Sequence, residues 1–255
     1  MIVSDSKWLK IFGEKFEVLE TGFNDGQYNM DFDFNRTIEL TKNKTIPMFR
    51  LYGWQPWTVS LGFNQKEADI DKSLLEKNGF DLVRRPTGGR AVLHANEITY
   101  SVVTKLPKNY SPQDIYKDIH ILLMEGLKKL NPMGLEFEKS QPDFKEFYNK
   151  EPGLSISCFA SSARYEIEYQ GRKVVGSAQR LFGDVLLQHG SIILDRGHEQ
   201  LADVSVVKDE DKRNKLRNYI LNHSATLSEV CNLSLIHISE PTRLLSISYA
   251  VFCLK

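Results

Sequence analysis

No stretch of about 18 apolar residues occurs in this sequence, so no membrane-crossing helix is predicted. Met1 to Lys10 mixes charged and apolar residues and lacks the apolar core of a secretory signal. There is no excess of either charge: Lys+Arg and Asp+Glu each total 33 of 255 residues, a formal net charge of +0. That balance excludes a global basic field, and with it a nucleic-acid partner gathered by charge alone. Cysteine is scarce. Cys158, Cys231 and Cys253 cannot build a disulfide framework, and no Cys/His cluster has zinc-ligand spacing. Internal repeats, low-complexity runs and an obvious linker are also lacking. The absences leave a cytoplasmic globular protein that binds no metal, with one large domain or a domain plus a small appendage.

The composition is ordinary, 41% hydrophobic and 26% charged. The C-terminal stretch is not. Leu233 to Arg243 (LSLIHISEPTR) and Ile247 to Leu254 (ISYAVFCL) resemble an in-frame translation of a sequencing-library adapter. The expected division is therefore one folded domain over 1–232, its native sequence continuing past Asn232, and a non-native tail over 233–255. Cys253 and His237 then carry no functional weight.

Periodicity predicts strands at Phe16–Glu20, Met48–Tyr52, Thr58–Gly62, Phe80–Arg84, Ala91–His94 and Ile98–Leu106. Arg164–Tyr169, Lys173–Leu181 and Val185–Leu194, joined by Gln170-Gly171 and Phe182-Gly183-Asp184 turns, form an antiparallel meander. Helices are expected at Tyr28–Lys42, with Met30, Phe34 and Ile38 on one face, and at Asp71–Asn78, ending on Gly79. A third follows Ser111-Pro112-Gln113-Asp114, a capping box with proline at the first helical position, and buries Ile115, Ile119, Leu122 and Leu123. A fourth spans Asp209–Asn222. The order is that of an α+β fold, a mostly antiparallel sheet with flanking helices.

Four segments could carry chemistry. Arg84 to His94 (RRPTGGRAVLH) sets Gly88-Gly89 in a tight loop between arginines, where backbone N–H groups can approach a carboxylate, phosphate or acyl carbonyl. By itself such a loop is as readily a plain turn. Gly171 to Gln179 (GRKVVGSAQ) puts Lys173 ahead of the small residues Gly176, Ser177 and Ala178, which could keep a pocket floor open. Gln188-His189-Gly190-Ser191 interrupts an apolar strand with polar residues, and a histidine satisfied by its neighbours fits there too. Cys158 lies in a serine-rich loop with Ser155, Ser157, Ser161 and Ser162, a setting that favours exposure; thiolate reactivity also needs a nearby positive charge.

Together, and over nearly all of Phe16 to Leu194, these segments resemble the biotin/lipoate ligase and lipoyl transferase superfamily. Arg85 to His94, Leu51-Tyr52-Gly53-Trp54, Ser60-Leu61-Gly62, Gly176-Ser177-Ala178-Gln179 and Leu187-Gln188-His189-Gly190-Ser191 are similar to its LipM branch of octanoyltransferases. The resemblance implies the biotin/lipoate ligase catalytic-domain fold and a Cys/Lys catalytic pair, here Cys158 and Lys173. It also implies substrate contacts from Arg85, Thr87, Gly88, Gly89, Arg90, His94, Gly176, Ser177, Ala178, Gln188, His189 and Gly190. The ATP-using ligases usually show a third glycine where this chain has Arg90, so the implied reaction uses no ATP and no cofactor. Octanoyl-acyl carrier protein is the implied donor. The implied acceptor is a lysine of a lipoyl-domain protein of the glycine cleavage H protein type. Leu61, Val92, Tyr100 and Val102 are expected to line the channel for the acyl tail. Three readings compete: an ATP-dependent lipoate–protein ligase, an amidotransferase moving acyl groups between lipoyl domains, and a non-catalytic acyl-binding module.

Overall fold

The computed structural model describes residues 6–130, 134–138 and 165–231. Cys158 and the boundary at Asn232, with everything after it, lie outside the described residues.

The chain opens with α1 (Ser6–Phe12), β1 (Glu17–Asn24), α2 (Gly26–Thr41), β2 (Met48–Trp54) and β3 (Thr58–Leu61). It continues through α3 (Lys72–Asn78), β4 (Asp81–Arg84), β5 (Val92–His94), β6 (Glu97–Lys105), α4 (Pro112–Lys128) and β7 (Leu135–Phe137). After these come β8 (Ile167–Tyr169), β9 (Arg172–Phe182) and β10 (Val185–Ile193), then a 3-10 helix at His198–Val204, α5 (Glu210–His223) and α6 (Leu227–Val230). Seven strands form a sheet in the order β1-β2-β6-β10-β9-β8-β7, and three form a second sheet, β4-β3-β5. Only the β1–β2 and β3–β4 pairs are parallel, so the α+β expectation holds.

Local chemistry explains where the elements begin and stop. Asp25 caps α2 by accepting from the Tyr28 amide at 2.7 Å, and Ser111 and Asp114 close a reciprocal capping box on α4. Gly79 ends α3 with φ 69°, a left-handed turn that costs glycine nothing. Strand alternation then sorts β6 between two cores. Ile98, Tyr100 and Val102 join Trp8 of α1 and Ile115, Ile119 and Leu123 of α4, whereas Val103 joins Leu40 of α2 with Met48, Val185 and Leu187. Each such fully buried aliphatic contributes about 1.5–3 kcal/mol.

One expectation about α2 is corrected. Phe34 is exposed at 40%, and the buried face runs through Asn29, Met30, Asp33, Thr37 and Leu40. A polar pair takes that face because Arg50 of β2 is fully buried opposite it, its Nη1 2.8 Å from Asp33 Oδ1 and its Nη2 2.7 Å from Asn29 Oδ1. Arg50 is also sandwiched, its guanidinium carbon 4.3 Å from the Phe32 ring centre and 3.9 Å from that of Tyr52. The helix thereby fastens the sheets together: Met30 packs with Tyr52 and Trp54 of the large sheet and Val83 of the small one. Gly26 fits because any Cβ there would press on Thr58 and Val83.

Candidate active site

A cavity lies between the two sheets. Its walls come from Ser60, Arg85, Val92 and His94 on the small-sheet side and from Tyr52, Trp54, Thr99, Gly176–Ala178 and His189–Ser191 on the other, with Met30 of α2. Antiparallel pairing of β9 and β10 sets Gly190 opposite Ser177 and Ser191 opposite Gly176. The two glycines are diagonal neighbours, and Gly190 lets Ser177, the Gly176 carbonyl and Tyr100 crowd against its backbone, where no Cβ would fit.

Three hydrogen-bonded groups border the cavity. The first centres on His94, stacked on Trp54 with ring centres 4.0 Å apart. Its Nδ1 is 2.7 Å from Glu97 Oε1 and its Nε2 is 2.7 Å from Ser60 Oγ. Glu97 Oε1 also accepts from the Thr99 and Ser191 hydroxyls at 2.7 and 2.8 Å. A carboxylate so fully donated to fixes the ring's orientation.

The second joins the glycine loop to the sheet. Thr87 Oγ1 is 2.6 Å from His189 Nε2, and His189 Nδ1 lies 3.7 Å from Asp33 Oδ2. Burial holds the His189 pKa below the usual histidine value, the nearby Asp33 only partly opposing it. The arginines of this loop are not free positive charge. Arg85 donates to the Ser60, Gly88 and Arg90 carbonyls, and Arg84 to those of Gly62 and Gln65. They brace the loop, with Gly88 and Gly89 exposed at its tip. Gly89 has φ 95°, and Gly62 leaves room for the Gly89 carbonyl, which any Cβ at position 62 would strike.

The third lies below the Gly176–Ala178 edge. Gln188 Nε2 donates to Tyr100 Oη at 2.8 Å, Tyr100 Oη meets Ser177 Oγ at 2.7 Å, and Ser177 Oγ meets His120 Nε2 at 3.0 Å. His120 Nδ1 faces the Tyr116 carbonyl at 2.7 Å and must be the protonated nitrogen, since a carbonyl only accepts. Burial lowers the His120 pKa to about 4, so the ring is neutral and Nε2 accepts from Ser177. Tyr100 in turn donates to Ser177, its own pKa raised by burial.

Beside this chain Lys173 is buried, its Nζ 2.8 Å from Glu166 Oε2. The other Glu166 oxygen receives Tyr116 Oη at 3.3 Å and faces the Ser177 amide at 3.5 Å. Lys173 is therefore a buried, ion-paired lysine and not a solvated one following a turn.

The cavity therefore gathers Arg85, His94, Gly176, Ser177, Ala178, His189 and Gly190. Thr87 reaches it through His189, Gln188 through Tyr100 and then Ser177, and Lys173 through Glu166, whose other oxygen faces the Ser177 amide. Of the four expected channel residues only Val92 lines it; Leu61 belongs to the small-sheet core, and Tyr100 and Val102 to the core beneath α4. The period-2 pattern identifies buried strand residues without saying which face meets the cavity. Met30, Tyr52, Trp54, Ser60, Glu97, His120 and Glu166 had no motif of their own, although Tyr52, Trp54 and Ser60 fall inside motifs quoted above. Among the described residues no cluster of three or more His, Cys, Asp or Glu could hold a metal, and no helix is long and apolar enough to cross a membrane. Cys231 is half-buried, and burial pushes its thiol pKa up, away from reactivity.

Residues 25–243 match the family described as lipoyl protein ligase A/B catalytic domain. An octanoyltransferase LipM of Kyrpidia tusciae is 35% identical over 221 residues, spanning 85% of this chain and 80% of that protein. The Moorella thermoacetica octanoyltransferase LipM is 37% identical over 221 residues, spanning 85% and 79%. Among solved structures, the bipartite lipoate protein ligase of Thermoplasma acidophilum superposes with a TM-score of 0.66 over 93% of this chain and 83% of that one, at 18% identity. A lipoate-protein ligase A bound with ATP gives 0.63 over 93% and 84%, also at 18%. At that identity the structures speak for the fold.

Proposed function

The chain belongs to the lipoyl protein ligase A/B catalytic-domain family and is an octanoyltransferase of lipoate biosynthesis, and we propose that it works through an octanoyl thioester on Cys158. The observation that supports this chemistry is the buried Lys173 ammonium, ion-paired to Glu166 beside a cavity that has both an apolar wall and small-residue openings. A fixed positive charge in a dry site lowers the pKa of a neighbouring thiol and stabilises an oxyanion more strongly than it could in water.

The reaction has two halves. The Cys158 thiolate attacks the carbonyl of octanoyl-acyl carrier protein; a sulfur–carbon bond forms, the carrier sulfur–carbon bond breaks, and the carrier thiolate leaves. A lysine amine of a lipoyl-domain protein, of the glycine cleavage H protein type, then attacks the same carbonyl. An amide forms, the carbon–sulfur bond breaks to restore the Cys158 thiolate, and the amine's proton passes to solvent water. Exchange of thioesters is nearly isoenergetic and formation of the amide is downhill, so no ATP enters. The acyl tail lies against Met30, Tyr52, Trp54 and Val92, and burying it at about 0.8 kcal/mol per CH2 gives selectivity for length. Amides of the Thr87–Arg90 loop support the oxyanion, and His94, held by Glu97, faces the incoming amine. A thiol nucleophile suits a reducing compartment, the cytoplasm.

Intact-mass measurement after mixing with octanoyl-carrier protein, without ATP, tests the route. A one-octanoyl adduct on the peptide containing Cys158 is expected, and Cys158→Ala should lose more than about 100-fold in transfer rate. Wild-type transfer by that variant, or a strict need for ATP, would rule the covalent route out.

A further inference from the structure

We propose that Glu166 is a positioning residue of the transfer: its carboxylate keeps the Lys173 ammonium in place and charged while the acyl group sits on the nucleophile, and so governs the second half of the reaction. The inference rests on the acyl-Cys158 reading above and adds to it a residue that no motif contains.

The geometry carries the argument. Glu166 and Lys173 are each exposed at only 2%, and Oε2 lies 2.8 Å from Nζ. The Lys173 backbone is fixed as well, its carbonyl accepting from the Ala225 amide at 2.8 Å. Glu166 also reaches toward the reacting region, its Oε1 3.5 Å from the amide of Ser177, a cavity-lining residue. Glu166 thus links the Lys173 ammonium to Ser177 in the cavity wall.

Removing water penalises an ammonium unless a negative charge stays beside it. In the resting enzyme a thiolate can share that duty. Once the sulfur becomes part of a neutral thioester its charge is gone, and the amine would release its proton to solvent. Glu166 keeps a full negative charge next to Nζ in both states. The second tetrahedral oxyanion then meets an ammonium, with Lys173 protonated throughout and the only proton released coming from the attacking amine.

Other titratable and charged groups also face Lys173. Among the described residues, α4 presents Tyr116 and the neutral His120. Across the strand ladder lies Glu168 of β8, and next in the chain is Arg172, which pairs with Glu229. On the far side Ser224 bridges to the Lys173 backbone and is engaged by His198 Nε2 at 2.6 Å.

Single-turnover experiments on the full chain separate the halves: octanoyl-carrier protein loads the enzyme, intact mass follows the loading, and a lipoyl-domain protein then discharges it. Glu166→Gln should load within about threefold of the parent and discharge about tenfold or more slowly. The basic limb of its discharge rate should lie about one pH unit or more below that of the parent. Glu166→Asp, which keeps the charge on a shorter arm, should restore most of the rate and the position of that limb. It also serves as the test should the glutamine variant fold poorly. Equal slowing of both halves with an unmoved limb, or a discharge like the parent's, overturns the assignment. Should the parent itself form no acyl-enzyme, the covalent reading falls and takes this assignment with it. A normal parent beside an unaffected Glu166→Gln removes this assignment alone.

Discussion

At Gly190 one added carbon would meet the Ser177 hydroxyl, the Gly176 carbonyl at 2.6 Å and Tyr100 Cε1 at 2.7 Å. Backbone cannot yield as a flexible side chain can, so Ser177 would be pushed off Tyr100 and His120. Gly190→Ala should therefore lower kcat/KM by about tenfold or more while costing roughly 1–3 kcal/mol of stability, the usual penalty for overpacking. Steady-state kinetics and a denaturant titration check the two parts. The sequence pointed to this glycine as part of a polar break in an apolar strand. It could not show why the break exists, because the atoms that crowd it come from β9 and β6. Glu166 was legible only as one residue of an expected strand, Arg164–Tyr169, which begins at Ile167; its partner is seven positions on, across a turn. Arg85 was expected as a substrate contact, whereas its donors are taken by three backbone carbonyls.

Among the elements, α4 was the most legible because its signals are local: the cap, the proline and the i, i+4, i+7 spacing all lie within the helix. Ser111→Ala removes the hydroxyl that accepts from the Asp114 amide. It should cost about 1 kcal/mol of stability and lower Tm by about 2–4 °C. Transfer activity should stay at the parent level, since the cap is exposed. A thermal melt and an activity assay decide it. In α2 the spacing of Met30, Phe34 and Ile38 found the buried Met30 but placed the exposed Phe34 with it. Apolar periodicity has no means of announcing a buried Asp33–Arg50 pair, whose partner is supplied by a strand 17 residues later. The short elements α1 and β7 gave no sequence signal, α1 because its apolar Trp8, Ile11 and Phe12 fall among charged neighbours in a single pair of turns.

For the molecule as a whole, several histidines are folded in as neutral groups. Burial lowers the pKa of His120 to about 4 and depresses those of His189 and His198. Between the folded value for His120 and the unfolded value near 6.5, the unfolded chain binds the extra proton. Stability therefore falls as pH drops through that window and is recovered above it. For His120 alone the loss is about 3 kcal/mol. Chemical denaturation from pH 7 down to pH 4 should show the decline, and His120→Gln should flatten it. A parent whose stability is constant over that range would contradict the neutral assignment.

The cavity is bounded by both sheets and roofed by a helix that touches each of them. A fatty chain lodged there becomes a structural member, a dowel set between two boards. If the octanoyl chain binds there as proposed, cohesion and binding are one matter: the loaded enzyme should hold its two sheets together more firmly than the empty one.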